Sequence, residues 1–352
     1  TLFGEGRIID KGEARPAAEV LAEHNIAPIQ ISFREGLASL TNASGSVGTA
    51  MLAIYDYVMA VRHGDLCAAL VCEALQSTDK HFDPRLMAGK GHKEQIASAE
   101  YLLKLLKNSE IVADARKSHI QDSSSIRIIP HVQGVAKRMG EQAYQAMMEE
   151  FYAVFDNPIF LPDGTALMGS NWDATMIEAY CDSLCLGVMN LAKLFEVHME
   201  RMVTPTLSGL PAFLVKNPGL NNGFMLVQYS TLGLLGDILL LANPAGAFNG
   251  AVSAGQESPL YRDETAARKL RTAVRKLEHL ISLTMMTALQ ALEFRTRAMS
   301  PITQKLYDEA RRTVTFMEND DLMYERIEAM EALVKSNRLL QLAQELAGDF
   351  VF

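Results

Sequence analysis

A polar stretch between apolar flanks, "HIQDSSSIRIIPHVQG" at positions 119 to 134, combines a cation, an amide and three serines. The planar guanidinium of Arg127 can give two parallel hydrogen bonds to the two oxygens of a carboxylate. Three consecutive serines disfavour helix, and Pro130 limits what can follow Ile129. Judged on these residues alone, such a cluster is more often a structural ion-pair site. The stretch therefore offers a candidate carboxylate clamp, with a structural ion pair as the alternative.

A second charged group lies inside an apolar segment, "MLVQYSTLGLLGDILLLAN" at Met225–Asn243. A helical period places Ser230, Gly233 and Asp237 on one face. We predict a buried core helix rather than a membrane span, because an unpaired carboxylate in mid-bilayer is costly. A carboxylate in such a helix needs a partner cation or a wet cavity. An ion pair between helices and a functional group facing a cavity are equally open for Asp237.

Helices must position these groups, because most of the sequence from Thr49 onward carries apolar residues at a helical period. Long helical runs cover Glu264–Met299 and Glu325–Ala347, whereas strand signals are short, at Ala27–Phe33 and Pro158–Leu161. We predict a mainly α protein of long packed helices with few short strands.

Length and composition suit one large globular domain or two closely packed ones, since the chain has 352 residues, 49% hydrophobic and 21% charged. Helices this long and apolar usually bury more surface than one chain offers, so we expect a homo-oligomer. We divide the sequence into an irregular, short-strand segment at 1–48, a central helical bundle carrying the site at 49–300, and C-terminal helices at 301–352.

Composition also excludes several functional classes. A net charge of −9 argues against nucleic-acid partners, which need a dense basic surface. The four cysteines lack C-x-x-C spacing and the eight histidines lack i, i+4 pairs, so we expect reduced buried thiols and no metal. No charged leader followed by an apolar run begins the sequence, and together with the reduced thiols this favours a cytoplasmic location.

Several ordered segments resemble the histidine and aromatic amino-acid ammonia-lyase family, whose electrophile is a methylidene-imidazolone ring (MIO). "FREGLASL" resembles the family's stretch before Asn-Gly-Thr, "GHKEQ" its His-x-Gly-Gln segment, and "IQDSSSIR" its Gln-Asp-x-Tyr-Ser-x-Arg motif. "FDNPIF", "GSNWDA", "LPAFLVKNPGLNNGFM" and "SAGQES" resemble further family segments in the same order. The match covers about residues 3 to 300, and it implies the ammonia-lyase, fumarase/aspartase-like helical bundle.

The resemblance assigns roles to particular positions. It implies that Arg127 clamps the substrate carboxylate, that Gln121 donates a hydrogen bond near the MIO, and that Asp237 replaces a glutamate of the histidine-specific members. These three are the expected catalytic residues. The expected substrate-binding residues are Thr41, Asn42, His92, Ser124, Asn171, Trp172, Gln256 and Glu257.

The tripeptide Ala43-Ser44-Gly45 has the composition that forms the family's ring, but it occupies the place of the family's Asn-Gly-Thr. No aspartate follows Gly45. Ser44 and Ser46 are better suited to the N-terminus of a helix than to the compressed turn that ring formation needs. We therefore expect the MIO from a segment outside this chain, so that the chain corresponds to the C-terminal, larger portion of the family's fold.

Several family positions are changed. Ser124 stands where the family has tyrosine, Thr41 where it has asparagine with Asn42 one position late, and Asp173 where it has histidine. Ser258-Pro259 replaces Asp-His. Losing a phenol and an amide near the ring removes hydrogen bonds that would stabilise developing charge, which allows a changed substrate or an inactive site.

Together these residues predict an ammonia-lyase-like carbon-nitrogen lyase that eliminates ammonia from histidine or an aromatic amino acid. The alternatives are an MIO-type aminomutase and an inactive scaffold or binding homologue. The expected partners are a small amino-acid substrate, further copies in a homotetramer and a companion N-terminal chain or segment, with no nucleic acid and no membrane.

Overall fold

The computed structural model describes residues 1–118, 120–247 and 250–350. Two compact units divide the chain, one formed by Thr1–Ser44 and Ala153–Asp173, the other by Gly45–Tyr152 and Ala174–Phe352. The boundaries that we predicted from the sequence, after residues 48 and 300, stay a prediction.

The smaller unit contains two short β-hairpins and two short helices. In chain order these are β1 (Arg7–Asp10), β2 (Glu13–Pro16), α1 (Ala17–Glu23), α2 (Glu35–Ala38), β3 (Ile159–Phe160) and β4 (Ala166–Leu167). β1 and β2 are antiparallel with Asp10 opposite Glu13, so Lys11 and Gly12 form a two-residue loop. Both have positive φ, as the tight hairpin turns that match strand twist require.

Helices dominate the larger unit, and turns and irregular segments connect them. Its helices are α3 (Ser44–Ala74, whose first residue belongs to the smaller unit), α4 (Pro84–Ala88), α5 (Lys93–Leu105), α6 (Glu110–Ser118), α7 (Ser124–Arg127), α8 (Ile129–Phe151), α9 (Thr175–Val203), α10 (Pro205–Ser208), α11 (Met225–Leu241), α12 (Asp263–Leu292), α13 (Pro301–Arg311), α14 (Met323–Lys335) and α15 (Arg338–Ala347).

Local chemistry explains where several helices begin. Asp263 and Glu264 stand in the first turn of α12, where negative charge complements the helix dipole. Ser300 caps α13 by accepting a hydrogen bond from the Thr303 amide, and Pro301 occupies the first turn, where no amide donor is needed.

The core of the larger unit forms where α9 and α12 pack along their lengths, with α8 packed on α9 and on α5. Phe195 and Leu191 of α9 and Leu277 and Ile281 of α12 are fully buried. Burial of such side chains drives the association of the helices. Cys67, Cys72, Cys181 and Cys185 are also buried, which confirms that part of the prediction of reduced buried thiols.

Helix α11 is only partly buried in the single chain, so the prediction of a buried core helix is wrong for the chain by itself. It packs on α9 and α12 through Val227, Thr231 and Ile238, while Tyr229 is 70% exposed and Leu240 is 72% exposed. A helix that is apolar on all sides indicates burial but does not specify the surface that covers it. Among the described residues, no helix has the length and apolar character needed to span a bilayer.

The prediction of a mainly α fold with few short strands is confirmed, with three local corrections. Ala27–Phe33 forms no strand; it contains Pro28, which has no amide to donate to a ladder. The run Glu264–Met299 ends early at Leu292. The run Glu325–Ala347 breaks at Asn337, whose positive φ of 56° separates α14 from α15.

Candidate functional site

The serine-rich stretch folds as one helical turn, α7, directly before α8. Ser123 is extended at the start of this turn, and its hydroxyl lies 2.9 Å from that of Ser125. Pro130 falls in the first turn of α8, where a missing amide costs nothing. Arg127 is therefore the last residue of the short helix α7, and it lies just before the long helix α8.

One end of this turn is held through Asp122. Its amide donates to His81 Nε2 at 2.9 Å, and its Oδ2 accepts from the Thr78 amide at 2.8 Å. His81 Nε2 is thus an acceptor, as in the neutral ring. Partial burial lowers the pKa of His81 and favours that neutral form.

The other end of the turn is held by a buried histidine of α9. His198 Nε2 lies 3.0 Å from the carbonyl oxygen of Ser125 and must donate to it. Burial lowers the pKa of His198 to about 4, so the ring is neutral near pH 7. The sequence does not indicate this role, because the partner of His198 is 73 positions away and no local pattern connects the two residues.

Arg127 retains an unused hydrogen-bond donor. Its side chain is half-buried, and its Nε is inaccessible to water and has no hydrogen-bond partner among the described residues. A buried donor without an acceptor costs about 1 to 3 kcal/mol, which an incoming acceptor recovers. A carboxylate suits this group best, because its two oxygens match the guanidinium geometry.

Gln121 lies on the exposed side of the same segment. With Ser77, Ser123 and Arg201 it lines a cavity of about 190 Å³, and Arg127 is not among the lining residues. The structure thus brings Gln121 and Arg127 onto one segment without placing them in one cavity. Arg201, a second cation beside Gln121, was not singled out from the sequence, because it lies on α9 at a distant position.

Ser124 is the first residue of α7 and is exposed. His92 precedes α5 and lines a separate small cavity of about 90 Å³ with Gln95 and Arg138. The helical period predicts that Glu94 faces solvent, and this was wrong, since Glu94 is buried and accepts hydrogen bonds from Arg138 at 2.6 and 3.1 Å. The guanidinium supplies the partner that a buried carboxylate needs.

Asp237 forms an ion pair with Lys276 of α12, with 2.7 Å between Oδ2 and Nζ. Its side chain is 54% exposed, so the carboxylate is wetted as well as paired. Of the two readings left open by the sequence, the structure of the single chain contains the ion pair between helices. Asp237 lines neither the cavity beside Gln121 nor the one beside His92.

Gln256 and Glu257 close a tight turn after α11. The Val252 amide donates to the Glu257 carbonyl at 3.1 Å, and Ser253 and Ala254 both have positive φ. The Gln256 side chain is exposed and that of Glu257 is half-buried.

Four expected binding residues belong to the smaller unit. The Asn42 amide nitrogen donates to the Ala38 carbonyl at 2.8 Å, and its oxygen accepts from the Ser44 amide at 2.9 Å. Thr41 donates to the Leu37 carbonyl at 3.1 Å. Asn171 is exposed and Trp172 is half-buried. The Asn42 carboxamide is therefore engaged in ordering the start of α3.

Ala43-Ser44-Gly45 stands at that start. α3 begins at Ser44, which confirms the expected helix N-terminus. Cyclisation of such a tripeptide into the family's ring requires a compressed turn at these three residues. Helical backbone from Ser44 onward does not supply one, so this tripeptide does not fit the MIO.

Comparisons with known proteins agree with this architecture. The model of the family "Aromatic amino acid lyase" matches residues 1–312. Histidine ammonia-lyase 2 of Fusobacterium nucleatum is 34% identical over 351 residues, which cover 99% of this chain and 69% of that protein.

Two solved structures show the same fold. The histidine ammonia-lyase of Trypanosoma cruzi superposes with a TM-score of 0.91 at 28% identity, covering 98% of this chain and 66% of that one. Tyrosine aminomutase from Streptomyces globisporus superposes with a TM-score of 0.93 at 25% identity, covering 98% of this chain and 70% of that one. The ammonia-lyase helical fold and the resemblance inferred from the motifs are confirmed. The chain belongs to the aromatic amino acid lyase family, and its enzyme class is that of the ammonia-lyases, which are carbon-nitrogen lyases.

Proposed function

We propose that this chain forms the carboxylate-binding wall of an ammonia-lyase site that acts on L-histidine or an aromatic amino acid. The observation that carries the proposal is the buried Nε of Arg127, a charged donor without an acceptor on a turn that two neutral histidines hold in place. Every α-amino acid carries the carboxylate that would complete it. A fixed carboxylate orients the substrate, which is a large part of what an enzyme site contributes.

Histidine is our first choice of substrate. Its support is the similarity to proteins named histidine ammonia-lyase, at 34% and 32% identity in Fusobacterium nucleatum and Clostridium tetani. Asp237 does not decide between imidazole and phenyl side chains, because it is paired with Lys276 in the single chain.

We propose that the MIO electrophile comes from a segment outside this chain. When present, it supplies the electron-poor carbon that loosens the bond between the substrate's nitrogen and carbon. Gln121 suits a place beside it, because its carboxamide makes no hydrogen bond to the described residues and lines a cavity. Arg127 would hold the substrate carboxylate, and an upstream base would take the β-proton. No metal is part of this proposal.

An aminomutase is the second candidate. It is supported by the structural similarity to tyrosine aminomutase, with a TM-score of 0.93. An aminomutase would use the same carboxylate clamp and return the amine to the neighbouring carbon, so product analysis separates the two activities. An inactive scaffold is supported by the changed positions, with Ser124 in place of the family's tyrosine.

We also propose that the chain assembles with further copies, as a homotetramer, through α11. The support is the row of exposed apolar side chains on this helix, including Leu226, Tyr229, Leu232 and Leu240. Contiguous apolar surface of this kind usually marks a protein interface. A cytoplasmic location stays a prediction.

The test supplies the missing electrophile. The chain, alone and co-expressed with an N-terminal family segment that carries Ala-Ser-Gly, is incubated with L-histidine, L-phenylalanine and L-tyrosine. We expect ammonia and urocanate from histidine only in the co-expressed sample. Ammonia from the chain alone would disprove an external MIO, β-amino acids would identify an aminomutase, and no product from a folded complex would leave the inactive scaffold.

A further inference from the structure

A cavity of about 570 Å³ is lined by residues of α3, α12 and α14, and the proposed function uses none of them. This volume falls in the range of small-molecule sites, about 300 to 1,000 Å³. Buried residues form its floor, among them His63, Ser282 and Val334. Tyr55, Arg275 and Lys335 are more exposed and form its rim. The shape is that of a pocket with a polar floor and an open mouth.

The floor presents an unsatisfied acceptor. His63 Nδ1 lies 2.9 Å from the Met59 carbonyl oxygen, which can only accept, so the proton is on Nδ1 and Nε2 carries a lone pair. His63 is 1% exposed, and its Nε2 has no partner among the described residues. Burial lowers the pKa of His63 to about 4, so the ring does not gain a second proton near pH 7. A hydrogen-bond donor from a ligand would satisfy this nitrogen.

Part of the charge on the cavity wall is already compensated. Glu331 pairs with His279 and lies 3.6 Å from Lys335. By contrast, Asp56, Glu278 and Arg275 form no ion pair with the described residues. Burial and the nearby Asp56 carboxylate raise the pKa of Glu278 to about 7. Two carboxyl groups and one guanidinium therefore face the cavity without partners of their own.

These groups match a molecule that carries both charges. An ammonium group has three donors and no acceptor, and the cavity offers three acceptors in Asp56, Glu278 and His63. A carboxylate matches the single free guanidinium, Arg275. We propose that this cavity binds a zwitterion of the α-amino-acid class, with its ammonium group toward Asp56, Glu278 and His63 and its carboxylate toward Arg275.

Three related probes test the two halves of the ligand. L-phenylalanine carries both charges, phenethylamine lacks the carboxylate, and 3-phenylpropionate lacks the amine. Calorimetric titration of the chain should show that L-phenylalanine binds at least about tenfold more tightly than either partial probe. Arg275→Ala should weaken L-phenylalanine about tenfold and leave phenethylamine unchanged. Arg268→Ala, an exposed cation two turns earlier on α12, is the matched control and should bind as the unmodified chain does.

The pH dependence supplies a second test. Glu278 faces Asp56 and His63 of α3, Arg275 and His279 of its own helix, and Glu331 and Lys335 of α14. Because a protonated Glu278 carries no charge, phenethylamine should bind more tightly as the pH rises through about 7. Glu278→Gln should abolish this rise. Circular dichroism should confirm that Arg275→Ala and Glu278→Gln keep the helical fold.

Arg127→Ala separates this site from the proposed active site, because the part of L-phenylalanine binding that Arg275→Ala weakens should persist in Arg127→Ala even where lyase activity is lost. The proposal fails if the chain binds none of the probes up to about 10 mM. It also fails if Arg275→Ala binds L-phenylalanine as tightly as the unmodified chain, or if Arg127→Ala alone removes binding.

Discussion

His198 of α9 donates a 3.0 Å hydrogen bond from Nε2 to the carbonyl oxygen of Ser125, across 73 positions of sequence. The bond joins the core of the helical unit to the turn that presents Arg127. Since His198 is fully buried, the side chains packed around it fix the orientation of its ring. His198 thus supports the turn that carries the proposed carboxylate clamp, Arg127.

Replacing Arg127 tests the clamp directly. Arg127→Lys keeps the charge but loses the paired hydrogen bonds, so we expect kcat/KM for histidine to fall about 10- to 100-fold in the complete assembly. In Arg127→Ala, kcat/KM should fall further. The assay is ammonia release, and Arg85→Ala, an exposed cation on α4, serves as the control. Near-normal turnover by Arg127→Ala would remove this residue from the mechanism.

Stability should fall as pH decreases, in part because of His198. Its pKa is about 4 in the folded chain and 6.5 ordinarily, so between these values only the unfolded chain holds the extra proton. Its contribution is complete above pH 6.5 and is lost progressively toward pH 4, by up to about 3 kcal/mol. His198→Gln keeps a donor for Ser125 without titrating, so its thermal stability should vary less over this range. Exposed His24→Gln should behave as the unmodified chain, and identical profiles for His198→Gln and the unmodified chain would contradict the assignment.

Gly134 is required where α5 meets α8. A methyl group there would lie 2.7 Å from the Gln95 backbone nitrogen and 2.8 Å from its Cα. Gly134→Ala should therefore lower the free energy of unfolding by about 1 to 3 kcal/mol in urea denaturation. The matched control is Gly48→Ala in α3, where an added methyl group would meet nothing within 4 Å beyond the neighbouring backbone of its own helix, and which should raise stability by about 0.5 to 1 kcal/mol. Equal effects of the two substitutions would show that the close approach of the helices does not matter.

The exposed face of α11 should control assembly. Leu240 is 72% exposed, and Leu240→Glu places a charge at this position. Burying that charge between two copies of the chain would be unfavourable. We expect sedimentation velocity to show smaller species for this variant. Leu86→Glu, at a comparably exposed leucine of α4, should leave the assembly intact. If Leu240→Glu sediments like the unmodified chain, α11 is not the interface.

Local sequence patterns predicted which helices exist better than they predicted where each helix ends. Apolar spacing indicated the helices, because an α-helix repeats every 3.6 residues wherever it packs. Apolar spacing did not indicate that the run from Glu325 breaks at Asn337. Asparagine tolerates both helical and positive φ, and the packing of the surrounding helices determines which one it adopts. Nor did apolar spacing indicate that Glu94 is buried, because its partner Arg138 lies on another helix.

The sequence by itself determined the helical class, the family and the one segment that carries both Gln121 and Arg127, because these depend on residue types at short spacing. Only the tertiary structure decided that His81 and His198 hold that segment, that Asp237 pairs with Lys276, and that α11 leaves an apolar face uncovered. The physical reason is that burial and pairing arise between helices far apart in the chain, and a periodic pattern records which face is apolar but not what lies against it.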